Sequence, residues 1–406
     1  MKPPLELNVR VLAWSSLALA LGCSAAGKSL PDSESSSGDG GASSSGAGAS
    51  GGDVGVGGAG GGFGAGGSVG SGGAGGDGEP GGAGGGGEPG GTGGFIGAGG
   101  ATPGTCAPTP GAPTPEDCAK LGIKISAEFA QAYQCFNLGV AQGVPNHWGG
   151  LTVKPEKPGS LYMGGHACEE SGKLYELGIA RDESCHVLGL MGSATLYSDA
   201  PYNDGGVIFG PGDVLFLSQW PVNKIGQIKP GSTTLSKSTD LGPLGVQASP
   251  GGAGFVPKGF PNEGQLKVLT WPTGGFTFDK PGNWYTVPYA PDGQGTYTLS
   301  KAVFHTKIEG GPEAFTFVAA GSVGFPKHSV LISEWGRAKI AAYELDGQAN
   351  PVPSTRREFL SGLAGAEGAL LDPMSGDFIF STYNDDPAKD RVIAVRGFRP
   401  PPAIIK

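Results

Sequence analysis

The chain has 406 residues, a formal net charge of −9 and 80 glycines, far above the roughly 7% glycine of ordinary proteins, so part of it is low-complexity and the folded portion is shorter than the length suggests. The charge is modest and spread out, with no Lys/Arg-rich block, which sets aside nucleic acid as a partner and an electrostatic membrane surface.

Residues 1–22 read as a signal peptide. Lys2 and Arg10 precede the apolar run VLAWSSLALALG, which is shorter than the about 20 residues a bilayer core requires. The run ends in Ala20-Leu21-Gly22-Cys23, which resembles the bacterial lipobox, with Ala20 where that motif usually has Leu. The resemblance implies that Cys23 is lipidated and becomes the N-terminus. Ser24 after it is similar to the pattern of lipoproteins sorted to the outer membrane, so the expected address is the cell envelope, outer rather than inner membrane, held through the N-terminal lipid.

From Cys23 to Gly104 the chain is mostly Gly, Ser and Ala with scattered acids and few large apolar residues. Such a segment cannot bury enough surface to offset its ordering entropy, so a disordered linker is expected over 23–104. About 70 residues of this composition span roughly 45 Å as a coil.

Residues 105–129 form a Pro- and Cys-containing lead-in. Beyond Cys23 there are five cysteines, Cys106, Cys118, Cys135, Cys168 and Cys185, and export permits disulfides. Cys168 and Cys185 flank one apparent hairpin and are the expected pair; Cys118 with Cys106 or Cys135 is the second. No Cys-x-x-Cys spacing supports structural zinc.

Residues 130–399 repeat a pattern, before a tail at 400–406. Each unit opens with a glycine-rich start and a short apolar strand, beginning at Gly149, Gly205, Gly251, Gly310 and Gly365. A second strand follows, as SLYMGGH, DVLFLSQW, QLKVLTW, SVLISEW and DFIFSTY. A third, such as KLYELGIA or KIAAYEL, alternates like a half-buried antiparallel strand. The expected fold is therefore all-β: a β-propeller of four-stranded antiparallel blades. Five blades are counted, six if 179–203 or 273–308 hides another. The last unit lacks an outer strand, and YQCFNLG, upstream of the first unit, is expected to supply it and close the ring.

The segments GGPEAFTFVAAGSVGFPKHSVLISEWGRAKIAAYELDGQANP and GAEGALLDPMSGDFIFSTYNDDPAKDRVIAVRGF resemble blades of NHL-type and gluconolactonase-like propellers, and more closely those of bacterial secreted propeller proteins. The resemblance covers about residues 130–399 and implies the fold far more than an activity.

Positions beside the glycine openings would ring a central channel, and these are Asn146 and His147, Asn203 and Asp204, Ser249, Glu313 and Glu367. Of these His147, Asn203, Asp204, Glu313 and Glu367 are the candidate metal or ligand set; carboxylates and amides suit a hard cation such as Ca²⁺. In the gluconolactonase-like enzymes such a metal polarises a lactone carbonyl, and Glu313 and Glu367 resemble that family's early Gly-x-Glu. The competing expectation is that both glutamates lock neighbouring blades through backbone or arginine hydrogen bonds. Trp220, Trp271, Trp335 and Tyr383, at blade ends, are expected to be structural or to line a ligand surface. The other histidines, His166, His186, His305 and His328, share no obvious ligand set, and no Gly-x-Ser-x-Gly hydrolase motif is present in the repeating region 130–399. These features favour a monomeric, non-enzymatic binding or scaffold module for a protein, peptide or glycan, with a metal-dependent lactonase-like hydrolase as the alternative.

Overall fold

A computed structural model describes residues 106–401 apart from 155, 273–279, 364 and 385; the signal peptide, Cys23 and the glycine-rich segment lie outside the described residues. Five antiparallel sheets form the blades of a propeller. Blade I comprises Leu151–Val153, Ser160–Gly165, Lys173–Arg181 and Val187–Asp199. Blade II comprises Asn203–Phe209, Leu215–Gln219, Lys224–Ile228 and Lys237–Asp240, and blade III Pro250–Phe255, Leu266–Thr270, Gly282–Val287 and Val303–Ile308. Blade IV runs Pro312–Val318, Ser329–Glu334, Lys339–Glu344 and Arg357–Ser361; blade V runs Leu370–Leu371, Phe378–Ser381 and Val392–Arg396.

The ring closes as expected, because Gln134–Gly139 pairs antiparallel with Val392–Arg396 and becomes the fourth strand of blade V. No sixth blade is hidden among the described residues. Of residues 179–203, those to Asp199 belong to the long outer hairpin of blade I and Asn203 opens blade II, while part of 273–308 forms a small hairpin, Tyr289–Pro291 with Tyr297–Leu299. That hairpin lies on blade II: the Gln227 amide accepts from Tyr297 N–H and donates to its carbonyl, both at 2.8 Å, and Lys237 pairs with Asp292 at 2.9 Å.

The hydrophobic core is not one mass but a series of seams between blades. Tyr162, Leu174, Val207 and Leu217 fill the seam between blades I and II, and Leu269, Trp284, Phe315 and Val330 that between III and IV. Since a strand points successive side chains to opposite faces, a blade packed on both sides must be apolar on both. Val392–Val395 and Ile340–Tyr343 are wholly buried, so the half-buried alternation expected for the third strands is corrected in blades V and IV, while Lys173–Arg181 of blade I keeps part of it, with Leu174 and Leu177 buried between partly exposed neighbours.

The lead-in is a belt rather than a separate segment. Glu116–Asp117 pairs with the outer strand of blade V, Lys124–Ile125 with that of blade IV, and Thr109 N–H donates to the Arg181 carbonyl of blade I while Thr109 Oγ1 accepts from Arg181 N–H. These short pairings cover edges that would otherwise present open backbone. Two disulfides fasten the belt, Cys118–Cys135 and Cys106–Cys185. The expected Cys168–Cys185 pair is thus corrected: the belt brings Cys106, 79 residues away in sequence, to Cys185, which hairpin proximity alone did not reveal. No helix among the described residues is long and apolar enough to cross a membrane.

Two buried ion pairs fix blade I to blade V. Arg181 reaches Asp372 through two hydrogen bonds of 2.8 and 2.9 Å, with the aspartate fully buried. Removing one member of such a pair strands the other charge, so Asp372→Ala should cost about 3–5 kcal/mol, read as a lower denaturant midpoint. His186 Nδ1 stands 2.7 Å from buried Asp377, and that hydrogen bond raises the imidazole pKa above 6.5 despite partial burial. A raised histidine pKa stabilises the fold below about 6.5 and loses that contribution as pH climbs through the folded value. The part of the stability loss between pH 6 and 8 that comes from this pair should vanish in His186→Gln, measured by denaturant unfolding.

Candidate functional site

The glycine starts of the blades meet at the axis with almost no clearance. A Cβ on Gly205 would lie 2.8 Å from the Glu367 carbonyl oxygen and 3.2 Å from the Ala314 Cβ, and one on Gly150 only 2.9 Å from Val207 N. Glycine is required here by close approach of neighbouring backbones. Serines on the second strands tie these glycines together: Ser218 Oγ accepts from Gly206 N–H and donates to Gly251 of the next blade, and Ser381 Oγ does the same between Gly368 and Gly149.

The inner strands of blades II, III and IV are bulged at their starts. A bulge re-aims side chains, and Asp204 and Glu313 both sit in one. Their carboxyls, with that of Glu367 from the start of blade V, bring ligand oxygens within 4.8 Å of one another. All three are buried, at 1%, 5% and 2% exposure, and Glu313 and Glu367 each hydrogen-bond Asp204. Carboxyls can bond one another only by sharing a proton. Burial first, and the neighbouring acids second, hold Glu313 and Glu367 well above the ordinary glutamate range, while burial lifts Asp204 to about 6.

Three of the five expected channel residues therefore converge. The expectation that the glutamates serve as arginine or backbone locks is corrected: both turn to Asp204. Asn203 and His147 stand apart. The Asn203 amide donates to the Gly165 and Ala200 carbonyls. The His147 ring stacks on Tyr383 at 4.9 Å and its Nδ1 lies 3.2 Å from Glu169. Ser249 spans Pro221 and Asn223. The donor set fits a hard, oxygen-seeking cation, and Glu367 Oε1 is buried with no hydrogen-bond partner. The group could hold a cation.

Sequence reasoning missed Asp390, which accepts two hydrogen bonds from Asn384, is raised by burial to about 6 and acts electrostatically on Glu367. It also missed that His166 meets Glu169 at 3.3 Å, so that one carboxylate serves both His166 and His147. No repeat position signals either, because both depend on loops folding back.

One face of the ring is set by a recurring backbone bond. His166 donates to Asn146, Trp220 to Tyr202, Trp271 to Ser249 and Tyr383 to Gly365, at 2.7–3.2 Å. Each ties the end of a second strand to the residue opening its own blade, so these side chains gather where the blades begin. Trp220 and Trp271 are half-buried, and Trp271 meets Trp335 edge-on at 5.8 Å. At the same openings His147, His166, Cys168 and Tyr202 have positive φ, a conformation costing non-glycine residues on the order of 1 kcal/mol each.

The site and fold define a five-bladed propeller with a sealed acidic axis and an aromatic opening face. No protein-family profile and no curated protein sequence matches the chain. Among solved structures it is similar to the PQQ domain of pyranose dehydrogenase from Coprinopsis cinerea (10% identity, 71% of this chain and 99% of that one, TM-score 0.39). It is also similar to a gluconolactonase from Xanthomonas campestris (12%, 76% and 99%, 0.38) and a PQQ-bound aldose sugar dehydrogenase from Streptomyces coelicolor (12%, 66% and 88%, 0.36). The propeller fold agrees with the propeller resemblance of the blades.

Raised acid pKa values mean that the folded state holds protons that the unfolded chain releases near pH 4, so the metal-free ring loses stability as pH rises from about 4 through the folded values. The melting temperature of chelator-treated protein should fall between pH 4.5 and 6, and Glu313→Gln/Glu367→Gln should flatten that fall.

Proposed function

We propose that the chain is a cell-envelope binding module, anchored through lipidated Cys23 and extended on the 23–104 linker, which holds a protein, peptide or glycan at the opening face of its propeller. The observation carrying this reading is the gathering of Trp220, Trp271 and the His147–Glu169–His166 group on one face. Aromatic faces and paired polar groups suit sugars and peptides, which offer apolar patches beside hydrogen-bonding groups. Full-length protein probed against glycan and peptide arrays should give a ligand whose affinity drops about tenfold or more in Trp220→Ala or Trp271→Ala. Binding that survives both substitutions unchanged would place recognition elsewhere.

The axial acids support a companion proposal, that Asp204, Glu313 and Glu367 hold a divalent cation such as Ca²⁺. Such an ion would balance two of the three carboxylates, the third keeping a proton, and tie blades II, IV and V across the axis. It also underlies the lactonase alternative, but a lactone carbonyl would have to reach acids that are at most 5% exposed, so a structural role is favoured. Calorimetry of chelator-treated protein with Ca²⁺, Mg²⁺ and Mn²⁺ should show binding that Glu313→Gln/Glu367→Gln abolishes. Lactone hydrolysis by the loaded wild type, lost in the double variant, would restore the enzyme reading; heat in neither protein would remove the ion altogether.

A further inference from the structure

The outer half of blade III carries a second polar constellation, unrelated to the axis. Lys267 is fully buried, and its Nζ donates to Thr286 Oγ1 at 2.7 Å, the Gln348 carbonyl at 3.0 Å and Asn350 Oδ1 at 2.9 Å. With all three donors used, Thr286 Oγ1 receives one hydrogen from the ammonium and is left to donate its own. His305 Nε2 lies 2.8 Å away and accepts that hydrogen in the tautomer protonated at Nδ1.

His305 occupies this place because of a backbone irregularity. Trp284 pairs with Thr306 and Tyr285 with Phe304, leaving His305 as the extra residue of a bulge. Bulges of this kind re-aim single side chains beside functional sites. Thr286 and His305 are both half-buried, and Val303, the direct strand partner of Thr286 and so on the same face, is 51% exposed. The hydroxyl thus stands near the surface, beside apolar side chain, between a fixed cation and a base.

We propose that Thr286 is a nucleophile for acyl transfer, with His305 as its general base, acting on small carboxylic esters with short apolar acyl groups. A hydroxyl within hydrogen-bond reach of an imidazole, with a further group steadying the charge, is the geometry by which such nucleophiles are recognised on any fold. The Thr286 Oγ1–acyl bond forms as the proton passes to His305 Nε2; the ester's alkoxy group then leaves, taking that proton. Water hydrolyses the acyl-threonine in the reverse sense, returning the hydroxyl and releasing the acid. Lys267 is a positioning residue, its ammonium steadying charge on the attacking oxygen. Burial, together with Lys267, lowers the His305 pKa, which keeps the imidazole neutral and able to accept the proton near pH 7. Burial likewise brings Lys267 down to about 8, against the pull of Asp346.

The test uses the full chain and p-nitrophenyl butyrate, following release of p-nitrophenolate and mapping acylated peptides by mass spectrometry. Butyrylation of Thr286 is expected, absent in Thr286→Ala, retained in Thr286→Ser and slowed about 100-fold in His305→Gln. The rate in wild type should rise with pH through the His305 titration. Circular dichroism of His305→Gln keeps the result interpretable should Thr286→Ala fold poorly. No acylation of Thr286 in the wild type, or an equal rate in a folded His305→Gln protein, would overturn the proposal. The cluster would then be a tie between blade III and the 346–350 turn of blade IV.

Discussion

Five inner strands have to meet around one axis, and the space between them is smaller than a methyl group at several points. Gly150, Gly205 and Gly251 stand where an added Cβ would press on a neighbouring backbone or on the Glu313 carboxyl. The rest of the molecule follows from that closeness. It explains the glycine-rich start of every blade, the serines that bond glycines of adjacent blades, and the bulges that fit inner strands into the narrow middle.

Closeness also determines the chemistry at the axis. Side chains that do project there lose water completely, so Asp204, Glu313 and Glu367 must share protons or take up a cation to avoid an unbalanced buried charge. The same sealing separates the acids from anything larger than an ion, in contrast to the opening face. There the second strands end in larger, partly exposed residues such as Trp220 and Trp271. The axis and the face therefore differ in burial and chemistry although only a few residues separate them along each strand.

At the circumference the constraint reverses, because outer strands diverge and their backbone edges are open to pairing. The belt of residues 106–125 answers this for blades V and IV, fastened by two disulfides. The blade III hairpin lies on blade II. Blade III's own outer strand keeps exposed Val303 and Phe304, and there the His305 bulge interrupts the regular ladder.

Much of this was legible in the sequence, because it rests on local pattern. Glycine openings, strand runs and terminal aromatics recur along the chain, so the blade count and the closing role of YQCFNLG could be read directly. Asp204, Glu313 and Glu367 could be named because each sits beside a glycine opening. Their partners could not. Asn203 and His147 occupy comparable positions, but a bulge or a loop turns them elsewhere, and Asp390 enters from a turn with no repeat position. The Cys106–Cys185 bridge depends on where the belt passes, and the Lys267–Thr286–His305 contact on one extra residue in a ladder. The sequence by itself determined which strands exist and in what order, since alternation and glycine spacing are properties of neighbouring residues. Only the tertiary structure decided which side chains meet, because those contacts join distant segments and are set by bulges and ring closure.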